Sequence, residues 1–131
     1  MTPPETDAPA GAGFDDLLGL EVTSVSGSEV RARWTVTPAL HQPFGIVHGG
    51  VHCAVVETLA SRGALAWRDG AGPVVGVSNT TDFLRAVRDG TLEARAVPVH
   101  QGRSQQLWQV EITDAAGRLV ARGQVRLQNL T

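Results

Sequence analysis

The residues best suited to chemistry lie close together. A His48-Gly49-Gly50 corner is followed by a run without proline or turn dipeptides, and that run carries one acid, Glu57, eight residues after Gly49. Such a corner followed by such a run reads as the N-terminus of a helix. Backbone N–H groups of Gly49 and Gly50, with no Cβ to obstruct approach, can polarise a carbonyl oxygen there. A carboxylate completes the minimum apparatus for acyl transfer. The plainer reading of Glu57 is a solvated strip shared with Ser61 and Arg62, because Glu is seldom buried. Eight residues at 1.5 Å rise separate Gly49 from Glu57 by about 12 Å, too far for one carbonyl carbon to meet both. If the two cooperate, Glu57 faces the Gly49 tip of a second, antiparallel copy, which predicts a two-fold dimer with two equivalent sites at its interface.

The elements that must hold these groups follow from pattern. Val51, Ala54, Val55, Leu59, Ala60, Ala64, Leu65 and Trp67 make the helix apolar on most sides, so something must wrap it. Phe14 to Leu18 reads as a short helix closed at Gly19. Strands are expected over residues 21–26 and 29–37, the second alternating Val30, Ala32, Trp34 and Val36 with Glu29, Arg31, Arg33 and Thr35. After the helix, Asp69 to Pro73 is a break, and strands follow over 74–84, 92–99, 107–113 and 119–127. Asp89-Gly90 is a hairpin signal, and Pro98 implies a bulge or an unpaired edge. Two strands, one long helix and four strands make an α+β fold, an antiparallel sheet curled about a central helix.

Composition sets further bounds. A chain of 131 residues, 42% hydrophobic, suits one domain whose small core oligomerisation would help. The domain is expected over 14–131. Residues 1–13, rich in Pro, Ala and Gly, are expected to form a mobile tail. A net charge of −2, with no lysine, leaves no electrostatic footprint for nucleic acid. The lone Cys53, in an apolar helical setting, reads as a buried inert thiol. No apolar window spans a membrane and the N-terminus lacks a signal pattern, so a cytoplasmic location is expected. His48 and His52 stand at i, i+4 spacing, but with Glu57 five residues further on they form no recognisable zinc motif. No metal or prosthetic group is expected.

Gln42, His48-Gly49-Gly50, Glu57 and Ser61, with Phe83-Leu84-Arg85 and Gly102-Arg103-Ser104 downstream, resemble the hotdog-fold acyl-CoA thioesterases of the PaaI and 4-hydroxybenzoyl-CoA thioesterase type. The resemblance covers residues 14–128 and is strongest to the subgroup with a helix Glu, which includes 1,4-dihydroxy-2-naphthoyl-CoA thioesterases. It implies a hotdog fold, edge-to-edge dimers that share active sites and pair into homotetramers, and an acyl-CoA substrate. Glu57 would then be the catalytic nucleophile or general base, and the Gly49 N–H would bind the thioester oxygen. Gln42 and His48 would help hold that carbonyl, and Ser61 would position water or the carboxylate. Arg85 and the Gly102-Arg103-Ser104 turn would meet the phosphates of coenzyme A, with Arg88 a further candidate. Phe83 stands where the naphthoyl subgroup carries His, which implies a more apolar acyl pocket, aromatic or medium-chain. Taken singly, His48 also reads as a helix cap, Gln42 as a loop residue and Ser61 as a hydroxyl bonded to its own helix. The alternative to an enzyme is a module that binds acyl-CoA without cleaving it.

Overall fold

The run after His48 forms one unbroken helix, and the strands wrap it. The computed structural model describes residues 13–131, so the tail expected over 1–13 lies, but for Gly13, outside the described residues. In chain order the elements are α1 (Phe14–Leu18), β1 (Glu21–Val25), β2 (Val30–Thr35), a 3₁₀ turn (Pro38–Leu40), α2 (Gly49–Arg68), β3 (Val74–Phe83), β4 (Thr91–Gln101), β5 (Gln105–Thr113) and β6 (Leu119–Asn129). The six strands form one antiparallel sheet in the order β1-β2-β4-β5-β6-β3. Gly19 closes α1 in the left-handed conformation, as the sequence implies.

The core lies between α2 and the concave face of the sheet. Val55, Val56, Leu59, Ala60 and Ala64 of α2 are fully buried against Trp34, Leu92, Trp108, Ile112 and Leu127 from the strands. Burial of each Val or Leu contributes about 1.5–3 kcal/mol, which outweighs the modest β-branched penalty in the helix. The helix is less enclosed than its sequence suggests. Ala54 and Leu65 are half-buried and Trp67 near the C-terminal end is exposed, as are Glu57 and Arg62, so α2 is not covered on all sides. Cys53 is half-buried rather than buried.

Two turn signals met different fates. At Pro98 the β4–β5 register shifts, and the residue lies beyond the last β2 partner, Ala96, where a missing N–H forfeits no ladder bond. Asp89-Gly90, by contrast, does not make a hairpin. β3 pairs with β6 at the sheet edge while β4 inserts between β2 and β5, so the segment between them is a crossover. Burial of Leu92, Ala94 and Ala96 fixes that placement of β4, and the turn serves only to start it. The crossover is tied down by backbone bonds from Leu84 N–H to the Val120 carbonyl (2.8 Å), from Val47 N–H to the Val87 carbonyl (2.8 Å) and from Val36 N–H to the Gly90 carbonyl (2.8 Å).

Candidate active site

The loop before α2 and the crossover after β3 enclose a cleft of about 290 Å³ at the N-terminal end of the helix. Gln42, Val47, Gly49 and His52 form one wall, and Phe83 to Val87 the other. His48 caps α2: its backbone is extended and its Nδ1 accepts the Gly50 N–H at 2.8 Å. A neutral His48 therefore carries its proton on Nε2, which is left to donate. This removes Gly50 from the pair of free N–H groups expected at the corner. The Gly49 N–H meets no acceptor among the described residues. Gly49 also has a reason within the fold to lack a side chain, since a Cβ there would fall 2.6 Å from Cε2 of the Phe83 ring.

The other expected groups fall into place unevenly. Gln42 lines the cleft, while its Oε1 accepts the Phe44 N–H within its own loop. Arg85 is exposed on the cleft wall, and Arg88 donates to the Phe44 carbonyl at 3.3 Å, bracing the loop. Glu57 lies two turns down α2, outside this cleft, with half-buried Ser61 one turn beyond. Because α2 is continuous, the separation of about 12 Å between Gly49 and Glu57 stands.

The Gly102-Arg103-Ser104 turn is further away still. Asn129, the β3 partner of Val74, donates to the Gly102 and Arg103 carbonyls at 2.9 and 3.1 Å, which places the turn beside the start of β3. Arg85 follows the end of β3, so the two coenzyme candidates flank opposite ends of one strand. The turn is anchored by a buried relay that the sequence did not announce. Trp108 Nε1–H donates to Gln106 Oε1 (2.9 Å), and Gln106 Nε2 donates to Asn129 Oδ1 (2.9 Å) and the Ala64 carbonyl (3.1 Å). A glutamine in step with Trp108, Val110 and Ile112 on the inward face of β5 was the available signal.

His52 completes the inner wall of the cleft. It is buried, its ring lies edge-on to Trp34 (centroids 6.3 Å apart) and tilted against Phe83 (5.9 Å), and its Nδ1 has no partner among the described residues. Burial pushes its pKa from 6.5 down to about 4, so the ring is neutral near pH 7.

Comparison with known proteins places this geometry. Residues 44–121 match the model of the thioesterase superfamily. The solved structure of Rv1847/MT1895 from Mycobacterium tuberculosis is 52% identical and superposes with a TM-score of 0.88, covering 89% of this chain and 95% of that one. The proofreading thioesterase EntH of Cronobacter turicensis is 40% identical over 102 residues, 77% of this chain and 74% of its own. The 1,4-dihydroxy-2-naphthoyl-CoA hydrolase of Listeria monocytogenes is 33% identical over 108 residues, 82% of this chain and 88% of its own. With its sheet wrapped on one long helix, the fold is the hotdog fold, and the chain belongs to the thioesterase superfamily as a thioester hydrolase.

Proposed function

We propose that the protein hydrolyses an acyl-CoA with a catalytic centre assembled from two copies of the chain, Glu57 of one acting on a thioester held at the Gly49 tip of the other. The observation that carries this reading is the unbroken α2, which keeps Gly49 and Glu57 apart within one chain, set against a β3 edge free to pair. Two-fold antiparallel pairing along β3 reverses both strand and helix, and the register that sets each Glu57 level with the partner's helix tip completes both sites at once. The same operation draws the Gly102-Arg103-Ser104 turn of one copy toward Arg85 of the other, so one coenzyme could meet both. Dimers of this kind pair into a homotetramer by the family's habit.

In the reaction, the Gly49 N–H takes up the charge developing on the thioester oxygen, a role in which one lost donor costs about 10²–10³ in kcat. Nε2–H of His48 and the amide of Gln42 support the same oxygen. Glu57 either removes a proton from water as the water oxygen bonds to the carbonyl carbon, or attacks that carbon itself to form an anhydride that water then opens. Both routes end in free acid and coenzyme A thiol. The largely apolar walls of the cleft, Ile46, Val47, Phe83, Leu84 and Val87, suit an aromatic or medium-chain acyl group.

Thiol release from benzoyl, hydroxybenzoyl, naphthoyl, phenylacetyl and straight-chain CoA thioesters tests the reading. Glu57→Ala is expected to lower turnover by at least about 10² in a folded protein. Normal turnover in that variant sinks the mechanism, and saturable binding without thiol release in the wild type favours a non-catalytic binding module. Mixing inactive Glu57→Ala and Gln42→Ala subunits is expected to restore up to about a quarter of wild-type activity, because half the dimers are mixed and each rebuilds one of two sites. A single turnover in ¹⁸O water tests the nucleophilic route in one direction: label in Glu57 requires an anhydride that water opened at the Glu57 carbonyl.

A further inference from the structure

Glu57 does not stand alone. Asn79 of β3 donates from Nδ2 to the Cys53 carbonyl at 3.0 Å and to Glu57 Oε1 at 3.4 Å, while its Oδ1 accepts from Thr81 Oγ1 at 2.7 Å. The amide orientation follows from chemistry. A backbone carbonyl can only accept, so the nitrogen must face Cys53, and the oxygen is left for the Thr81 hydroxyl. Both amide hydrogens are thereby directed at α2, one at the carbonyl four residues before Glu57 and one at its carboxylate. The other carboxylate oxygen lies over Gly76, where a side chain would begin in contact with it, 3.6 Å away, and glycine leaves it uncovered. One oxygen is held and the other is left clear.

Resting on the assignment of Glu57 above, we infer that Asn79, locked by Thr81, is the positioning residue of the carboxylate, and that Oε2 is the oxygen presented to water or to the thioester carbon. A neutral amide suits this task. An Arg or Lys in its place would hold the carboxylate by charge and weaken it as a base or nucleophile, whereas an amide fixes its direction with less effect on its basicity. The clamp also joins the edge strand to the turn of α2 that bears Glu57, so the carboxylate is oriented from the strand that would pair in the dimer.

The test compares wild type, Glu57→Ala, Asn79→Ala, Asn79→Asp and Thr81→Val by kcat, KM and thermal midpoint on the best acyl-CoA of the panel. Misplacing a catalytic group by about 1 Å costs about 10² in rate, so Asn79→Ala is expected to lose about 10–100-fold in kcat with KM little changed. Asn79→Asp keeps the shape and the Thr81 bond but turns acceptors toward the Cys53 carbonyl and Glu57, and is expected to lose more than Asn79→Ala. Thr81→Val frees the amide to turn and is expected to lose several-fold in kcat; it reads the same relay if Asn79 variants fold poorly. A folded Asn79→Ala with wild-type kcat, beside an inactive Glu57→Ala, overturns the positioning role alone. Full activity in Glu57→Ala overturns the underlying assignment and this one with it. Losses in thermal midpoint without a fall in kcat would mark Asn79 as structural and likewise overturn it.

Discussion

At the scale of residues, the site is built from groups whose local partners fix their state. His48 Nδ1 accepts the Gly50 N–H, Asn79 donates its amide hydrogens to α2, and His52 is held neutral by burial. For His52 this has a measurable cost in acid. The unfolded chain binds this proton near the ordinary pKa of 6.5, while the native ring resists it until about pH 4. Stability from His52 is therefore fully present above about pH 6.5 and is lost as pH falls toward 4. Urea unfolding at pH 7 and pH 4 is expected to show wild type losing up to about 3 kcal/mol more than His52→Leu over that interval. Equal losses in the two proteins would mean that other groups carry the acid sensitivity.

At the scale of elements, close packing decides against intrinsic preference. Gly63 lies within α2, where replacement by Ala would gain about 1 kcal/mol of helix propensity. A Cβ at Gly63 would instead meet Cη2 and Cζ3 of Trp108 at 2.5 Å, and that ring is fully buried and pinned through Gln106. Overpacking of this kind costs about 1–3 kcal/mol, so Gly63→Ala is expected to lower the urea midpoint despite the better helix former. A raised midpoint would show that the indole can yield. The same scale explains what the sequence made legible. Helix α2, its corner and all six strands follow from periodicity and breakers, because a buried face repeats along each element. Asn79 was hidden by a β-bulge: the β3–β6 register shifts between Gly76 and Ser78, so the face toward α2 passes from Gly76 to Asn79, Thr81 and Phe83. Strict alternation from Gly76 would have sent Ser78, Thr80 and Asp82 inward. The Asp89-Gly90 turn misled for a related reason, since strand partners are chosen by burial across the sheet, which a local dipeptide does not encode.

At the scale of the whole molecule, the two edges of the sheet differ. The β1 edge is short, polar in Thr23 and Ser24, and broken by a bulge after Val22. The β3 edge runs ten residues with Val75 and Val77 exposed at 45% and 51%. A long edge with exposed valines invites another strand, and the short, bulged first edge is blunted in the way that discourages one. Among the described residues no helix is long and apolar enough to cross a membrane. If the centre is divided between copies, as proposed from the β3 edge and the unbroken α2, the protein's own concentration becomes a variable of its chemistry. An enzyme with a complete centre in each chain keeps its specific activity on dilution. One whose centre is divided between copies loses it as the association equilibrium is crossed, and excess substrate that bridges two copies should delay that loss by mass action. Specific activity measured from micromolar to picomolar protein is expected to fall along the same curve as the dimer population, and a flat response while dimers dissociate would place a whole centre in each chain.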